Sequence, residues 1–208
     1  MCSKNYPKRR RIFRTLVPLV LASRSPRRRE LLERLGIEFE VCPARAEEPP
    51  PAGEDPSTYA LKLARAKARE IFSEKGPQKA VLAADTVVVC EGQILGKPGD
   101  WDEAFRMLKL LSGRWHQVFT AYVIRIKELE RTRVAETRVL FKTLSEEEIF
   151  TYLRTDEPWD KAGAYAIQGI ASYMVKRVEG SVTNVIGLPL AEIIEDLLEL
   201  KIISWDKE

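Results

Sequence analysis

The sequence predicts an α/β protein, and three observations carry that expectation. Residues 16–22 are an apolar run that reads as a buried strand and passes, through a serine-rich turn, into a helix that stops at Gly36. Residues 80–90, Ala-Val-Leu-Ala-Ala-Asp-Thr-Val-Val-Val-Cys, have the continuous hydrophobicity of a strand covered on both faces. Helical stripes alternate with strand-like segments along the rest of the chain.

Pro18 cannot donate to a ladder and marks the start of the first strand. Ser23 and Arg24 make the turn, Ser25 is the expected N-cap, and Pro26 stands at the first helical position, where its missing N–H costs nothing. The helix N-terminus suits an anion, and Arg24, Arg27, Arg28 and Arg29 crowd it. Leu31, Leu32 and Leu35 form its apolar stripe, so Arg27 and Arg28 lie at the tip of that stripe, while Arg29 aligns with Glu33 as a solvated pair. The cluster reads either as a phosphate site or as a basic surface helix.

Residues 37–42 form a second expected strand, and residues 43–56 are too proline-rich for regular structure, a length of loop that is often functional. Ser57 is the expected cap of a helix reaching Phe72, whose stripe of Ala60, Leu63, Ala64 and Ile71 includes Lys67. A lysine there either snorkels to solvent or reaches a buried anion. In the long apolar run Asp85 lies near the middle, where an ionised carboxylate is expensive unless paired or bound to a metal. It reads as a functional group or as the cap of a strand break.

Glu91-Gly92 is a hairpin turn into residues 93–95, and Asp100 caps a helix that stops at Ser112-Gly113. Residues 118–126 and 134–142 are an expected antiparallel pair joined by a charged connection, and Ser145 with Glu148 is a capping box. Residues 155–169 are irregular, with Trp159, Tyr165 and Gln168 offered as groups that could stack on and hydrogen-bond a planar base. A strand over 173–178, a loop over 184–189 and an amphipathic helix over 190–200 complete the chain.

Composition limits what the chain can do. Of 208 residues, 45% are hydrophobic and 31% charged, as in ordinary globular chains. Cys2, Cys42 and Cys90 have no metal-ligand or redox spacing, and His116 is the single histidine, so a multi-histidine metal centre is excluded. No apolar stretch approaches the ~20 residues of a membrane span, and no signal-peptide core is seen, so a cytoplasmic location without membrane association is expected. Lys4, Lys8, Arg9, Arg10, Arg11 and Arg14 carry charge without any acid; subtracting those six from the net +3 leaves −3 for the body. Residues 1–15 are read as a basic tail, a leader or a nucleic-acid contact, ahead of one domain over 16–208. Cations at turns (Arg27, Arg28, Lys67, Lys97) with the carboxylates Glu47, Glu48 and Asp85 suggest a magnesium–polyphosphate site. Neither a Walker motif nor a Gly-x-Gly-x-x-Gly pattern is present.

Seven stretches together resemble the Maf family of nucleoside triphosphate pyrophosphatases: Leu-Ala-Ser-x-Ser-Pro-Arg-Arg (21–28), Glu-Glu (47–48), Leu-Ala-x-x-Lys-Ala (63–68), Ala-Asp-Thr-Val-Val (84–88), Gly-Lys-Pro (96–98), Leu-Ser-Gly-x-x-His-x-Val-x-Thr (111–120) and Val-x-Gly-Leu-Pro-Leu (185–190). The resemblance covers about residues 17–200 in the right order. It implies an elongated, two-lobed mixed-sheet α/β fold with a central cleft, similar to the inosine triphosphatase fold. It also implies hydrolysis of a nucleoside triphosphate to monophosphate and pyrophosphate with a divalent metal, Mg²⁺ or Mn²⁺. Asp85 would be the general base, Glu48 and Asp85 the metal ligands, and Ser23, Arg27, Arg28, Lys67, Thr86, Lys97, Lys161 and Gln168 the substrate contacts.

Asp-Lys-Ala-Gly-Ala-Tyr-x-Ile-Gln-Gly (160–169) resembles the branch acting on dTTP and UTP, with Ala166 where that branch usually has glycine. Uracil and thymine present N3–H beside a carbonyl, and the amide of Gln168 can both accept and donate. A nucleotide is the expected partner, stable nucleic-acid binding is not expected, and a homodimer is left open. The alternative function is a nucleotide-sensing regulator of cell division without significant turnover.

Overall fold

The computed structural model describes residues 12–206, and among these it has nine strands and six helices. The strands are β1 (Phe13–Thr15), β2 (Leu19–Leu21), β3 (Glu40–Val41), β4 (Ala80–Cys90), β5 (Gln93–Leu95), β6 (Trp115–Ile126), β7 (Leu129–Phe141), β8 (Val175–Glu179) and β9 (Ile203–Trp205). The helices are α1 (Pro26–Arg34), α2 (Pro56–Lys75), α3 (Trp101–Leu111), α4 (Glu146–Leu153), α5 (Val182–Ile186) and α6 (Leu190–Glu199). The main sheet runs β3-β2-β4-β6-β7-β8, with β5 added beside β4. β2 pairs in parallel with β3 and β4, and every other pairing in the sheet is antiparallel, so the sheet is mixed.

Strand β4 is the spine of this sheet. One of its edges pairs with β6 without a break, from Val81↔Arg125 to Val89↔Gln117. Its other edge is divided: β2 covers Ala80 to Leu82, and β5 covers Val88 to Cys90. Residues 83–87 therefore have no strand partner on that side. The chain leaves β2 toward β3 on one flank and reaches β4 on the other, so the gap lies beside a topological switch point. Open α/β sheets place ligands in such a crevice, outside the carboxyl ends of the strands.

Side-chain alternation decides which face each β4 residue meets. Val81, Ala83, Val87 and Val89 pack under α2 with Ala60, Leu63, Ala64 and Ile71. Leu82 and Ala84 face the opposite side, with Leu31 and Leu32 of α1 and Ile193 and Leu197 of α6. Farther along, Val88 and Cys90 join a third cluster with Leu108 and Leu111 of α3 and Ile149 and Leu153 of α4. Asp85 shares the parity of Ala83 and Val87, so it points toward α2.

Several expectations are revised. The first strand is confined to Leu19–Leu21, and Leu16 is half exposed. The body begins earlier than residue 16, because Phe13 is buried and β1 pairs with β9 through Phe13↔Trp205. The tail reading for residues 1–11 lies outside the described residues. Asp55, not Ser57, caps α2: its Oδ1 accepts the N–H groups of Ser57 at 2.8 Å and Thr58 at 3.3 Å, with Pro56 at the first helical position. The charged connection after β6 is a tight turn at Lys127-Glu128, with Lys127 at φ 49°, and β7 starts at once. Ser25 stands at the head of α1 without a side-chain cap bond, and the Oγ of Ser23 takes the Ser25 N–H at 3.1 Å.

Candidate active site

A cleft of ≈ 620 Å³ opens over the uncovered stretch of β4. Its wall includes Ser23, Arg27 and Arg28 from the β2–α1 turn, Glu48 from the proline-rich loop, Lys67 from α2, Asp85 and Thr86 from β4, and Lys97, Lys161 and Gln168 from later loops. The expected base, metal ligands and substrate contacts thus line one cavity, whereas Glu47 and Trp159 do not.

At its floor, Asp85 is 7% exposed. Lys67 lies one turn beyond Leu63 and Ala64 on the buried face of α2, and its Nζ donates to Asp85 Oδ1 at 2.5 Å. The same ammonium is 2.6 Å from Glu48 Oε1. Lys67 therefore reaches one buried anion, Asp85, and one exposed one, Glu48, and does not snorkel. Burial pushes the Asp85 carboxyl above the ordinary aspartate range, against the pull of Lys67 and Arg28. Glu48 also feels burial, but Lys67, Lys97 and Arg28 hold its carboxyl below the usual range. Lys97 is more exposed and lies 3.9 Å from Glu48.

The loop that carries Glu48 is anchored by groups the sequence reading did not single out. Glu70 on α2 accepts the N–H of Ala46 at 2.7 Å and that of Arg45 at 2.9 Å. Tyr59 donates its hydroxyl to the Pro49 carbonyl at 2.8 Å. Glu70 sits on the α2 face turned to this loop, but nothing in its local sequence marks it as a ligand of backbone. Arg45 also lines the cleft.

Arg28 takes the place of the missing strand. Its Nη1 donates to the Ala84 carbonyl at 2.8 Å, satisfying backbone that no ladder reaches. Nε donates to the Gly187 carbonyl at 2.8 Å, and Nη2 to Thr86 Oγ1 at 2.9 Å. A longer contact of 3.4 Å joins Nη1 to Ser23 Oγ. Of the five guanidinium N–H groups, one is left for a ligand. Thr86 Oγ1 also meets Thr120 Oγ1 at 2.9 Å, so it too is held by protein. Arg29 pairs with Glu33 at 2.6 Å in solvent, as its helix phase requires. Arg27 faces Asp160 at 3.7 Å across the cleft mouth.

Of the two expected aromatics, only Tyr165 reaches the cleft. Trp159 is absent from the cleft wall; its indole N–H donates to the Thr155 carbonyl at 3.0 Å and its ring packs 6.0 Å from that of Trp101. Tyr165 does line the cleft, but it is largely buried, with its hydroxyl 2.8 Å from His116 Nε2. Both polar tips find protein partners, which is how such rings settle into a core. Lys161 donates to the Glu157 carbonyl at 2.6 Å and pairs with Asp160, while Gln168 is exposed at the wall. Glu47 is exposed and does not line the cleft.

Whether a divalent cation fits can be judged from the donors. No cluster of three or more metal-ligating side chains exists among the described residues. Glu48 and Asp85 nevertheless converge on one ammonium, so their oxygens already share a cation. Two carboxylates in a cleft lined by cations match what Mg²⁺ asks of a protein that also holds substrate phosphates.

The family model described as Maf-like protein matches residues 18–200. A Geobacter sulfurreducens protein named dTTP/UTP pyrophosphatase is 50% identical over 181 residues, 86% of this chain and 94% of its own. A Thermococcus kodakarensis protein of the same name is 50% identical over 182 residues, 88% of this chain and 96% of its own. One from Anaeromyxobacter dehalogenans, again so named, is 52% identical over 178 residues, 84% and 89% of the two chains. Among solved structures, the Staphylococcus aureus Ham1 protein aligns with a TM-score of 0.47 at 15% identity, over 88% of this chain and 99% of that one. By the span of the family match and the identity to these relatives, the chain belongs to the Maf family.

Proposed function

We propose that this chain hydrolyses dTTP and UTP at the α–β phosphoanhydride bond, releasing the monophosphate and pyrophosphate. Asp85 carries the reading. It is a carboxylate in an otherwise apolar strand, at the floor of a cationic cleft, in a chain about half identical to proteins named for that activity.

Lys67 holds Oδ1 of Asp85, and Oδ2 takes no hydrogen bond from the described residues. Oδ2 is then the atom that accepts a proton from water. Its elevated proton affinity makes it a stronger base than an ordinary aspartate, and Lys67 and Arg28 favour its ionised form. The water oxygen bonds to the α-phosphorus, the bond from that phosphorus to the α–β bridging oxygen breaks, and its electron pair leaves with pyrophosphate. Ser23, Arg27, Lys97, Lys161 and the last N–H of Arg28 are placed to donate to phosphate oxygens, with Thr86 fixing the guanidinium. Glu48 and Asp85 would hold Mg²⁺ or Mn²⁺, which when bound offsets phosphate charge and polarises the scissile bond.

Gln168 is assigned to the base. Cytosine replaces the N3–H donor by an acceptor and the O4 acceptor by an amine, so a fixed amide rejects it. A buried polar mismatch costs about 1–3 kcal/mol, roughly 5- to 150-fold in kcat/KM. Cys42 and Cys90 are unpaired thiols and no helix among the described residues is long and apolar enough to cross a membrane, which supports a reducing, cytoplasmic setting.

Pyrophosphate release from dTTP, UTP, CTP, ATP and GTP tests the reading. UTP and dTTP are expected to lead, and Gln168→Glu to lose them selectively, because a carboxylate offers O4 no donor. A protein that binds UTP but releases no pyrophosphate would instead be a sensor. Equal kcat/KM for UTP and CTP would remove Gln168 from base reading.

A further inference from the structure

Between the end of α4 and the start of β8 the chain forms three short 3₁₀ turns, Pro158–Asp160, Ala162–Ala164 and Ile170–Met174. No strand ladder holds this interval. One side chain closes it. The Glu157 carboxylate accepts the N–H of Ile170 at 2.7 Å and of Ala171 at 2.9 Å. It also accepts the hydroxyl of Tyr152, on α4, at 3.0 Å. Its main-chain carbonyl takes Lys161 Nζ at 2.6 Å. Gly169, whose φ of −106° any residue could adopt, is small for lack of room: an added Cβ would fall inside the Glu157 carboxylate. Both ends of the loop are thus tied to one residue, by its carboxylate next to Gln168 and by its main-chain carbonyl at Lys161.

From this geometry we infer that Glu157 is a positioning residue for base choice. Resting on the assignment of Gln168 to the pyrimidine, it states what makes that assignment work. An amide discriminates uracil from cytosine only if it cannot turn or shift to suit either base. Gln168 is exposed and no hydrogen bond restrains its side chain, so its position is set by the backbone that follows it. Two charge-assisted bonds to consecutive N–H groups fix that backbone more firmly than neutral bonds would. The same carboxylate leaves room only for glycine at residue 169.

The test compares kcat and KM for UTP and CTP in the wild type, Glu157→Gln, Gly169→Ala and Gln168→Glu. Glu157→Gln keeps the volume but turns one acceptor into a donor facing an N–H. Its KM for UTP is expected to rise about tenfold, kcat to change less, and the UTP/CTP ratio of kcat/KM to fall toward unity. A merely structural role would lower thermal stability and depress both substrates alike. Gly169→Ala displaces the carboxylate from the other side with Glu157 intact, should give the same signature, and carries the test if Glu157→Gln does not fold. The inference is overturned if the folded variants keep the wild-type ratio while Gln168→Glu changes it. If Gln168→Glu also leaves the ratio unmoved, the base assignment itself fails, and the role of Glu157 with it.

Discussion

The two edges of β4 differ in what satisfies their backbone. Along β6 the ladder is continuous from Val81 to Val89. Along the opposite edge β2 and β5 leave residues 83–87 between them, and a guanidinium, a lysine and a loop occupy the space. Repetitive backbone bonding produces a rigid wall. Interrupting it exposes main chain and side chain together, in a place where low dielectric makes each polar contact count. The rigid edge holds the open edge still, so that Asp85 is positioned by strand geometry rather than by a flexible loop.

The difference can be broken most sharply at Asp85. Asp85→Asn is expected to retain the fold and lose turnover by at least about 10²–10⁴-fold, the usual range for a general base. A variant keeping more than half of the wild-type pyrophosphate release would remove Asp85 from the chemistry.

Next comes the contrast between neighbours on α1. Arg28→Ala leaves the Ala84 and Gly187 carbonyls without their donor, and each unsatisfied buried group costs about 1–3 kcal/mol. At about 2–4 °C per kcal/mol for a chain of this size, Tm should fall by roughly 4–24 °C, and KM for UTP should rise. Arg29→Ala removes one solvated pair and should move stability by less than about 1 kcal/mol. Equal effects in thermal melts and in kinetics would show that Arg28 does not stand in for a strand.

The paired edge has its own pH signature. His116 on β6 is 2% exposed, and burial pushes its pKa down to about 4. The unfolded chain takes up this proton below ~6.5, whereas the folded chain does so only near the lowered value. Stability from this group is therefore full above pH ~6.5 and declines as pH falls toward 4, by up to about 3 kcal/mol. Melts from pH 7.5 to 4.5 should show that decline in the wild type and a flatter profile in His116→Phe; parallel profiles would contradict it.

The smallest effect is expected at the start of the chain. Removing residues 1–11 should leave UTP hydrolysis unchanged. Extending the deletion through residue 15 also removes Phe13 from its place beside Trp205 and should lower Tm by a few degrees. Loss of activity in the shorter, folded truncation would make that segment part of the site.

What could be read in the sequence followed from signals that are local. The apolar run of β4, the Glu91-Gly92 hairpin, the Asp100 cap and the Ser145–Glu148 box each declare themselves within a few residues, and each is found in place. Lys67 could be placed on the buried face by period alone, but its partners could not, because Asp85 is 18 residues away. The four bonds of Arg28 were hidden for the same reason: three of their acceptors lie on β4 and the loop before α6. Trp159 misled because an aromatic ring with a polar tip suits a ligand and a core equally well. Only the tertiary neighbour Trp101 decides between the two.

The uncovered stretch of β4 has a consequence for solubility. Unpaired strand backbone invites pairing by another chain, and a gap of five residues is long enough to seed it. Here the Ala84 carbonyl is already taken by Arg28, the Asp85 carboxylate would be trapped under any incoming strand, and the loop over Glu48 lies across the approach. The residues proposed to hold the nucleotide also shut out a polypeptide. Substitutions that disarm it therefore open a sticky edge as well as an inactive site.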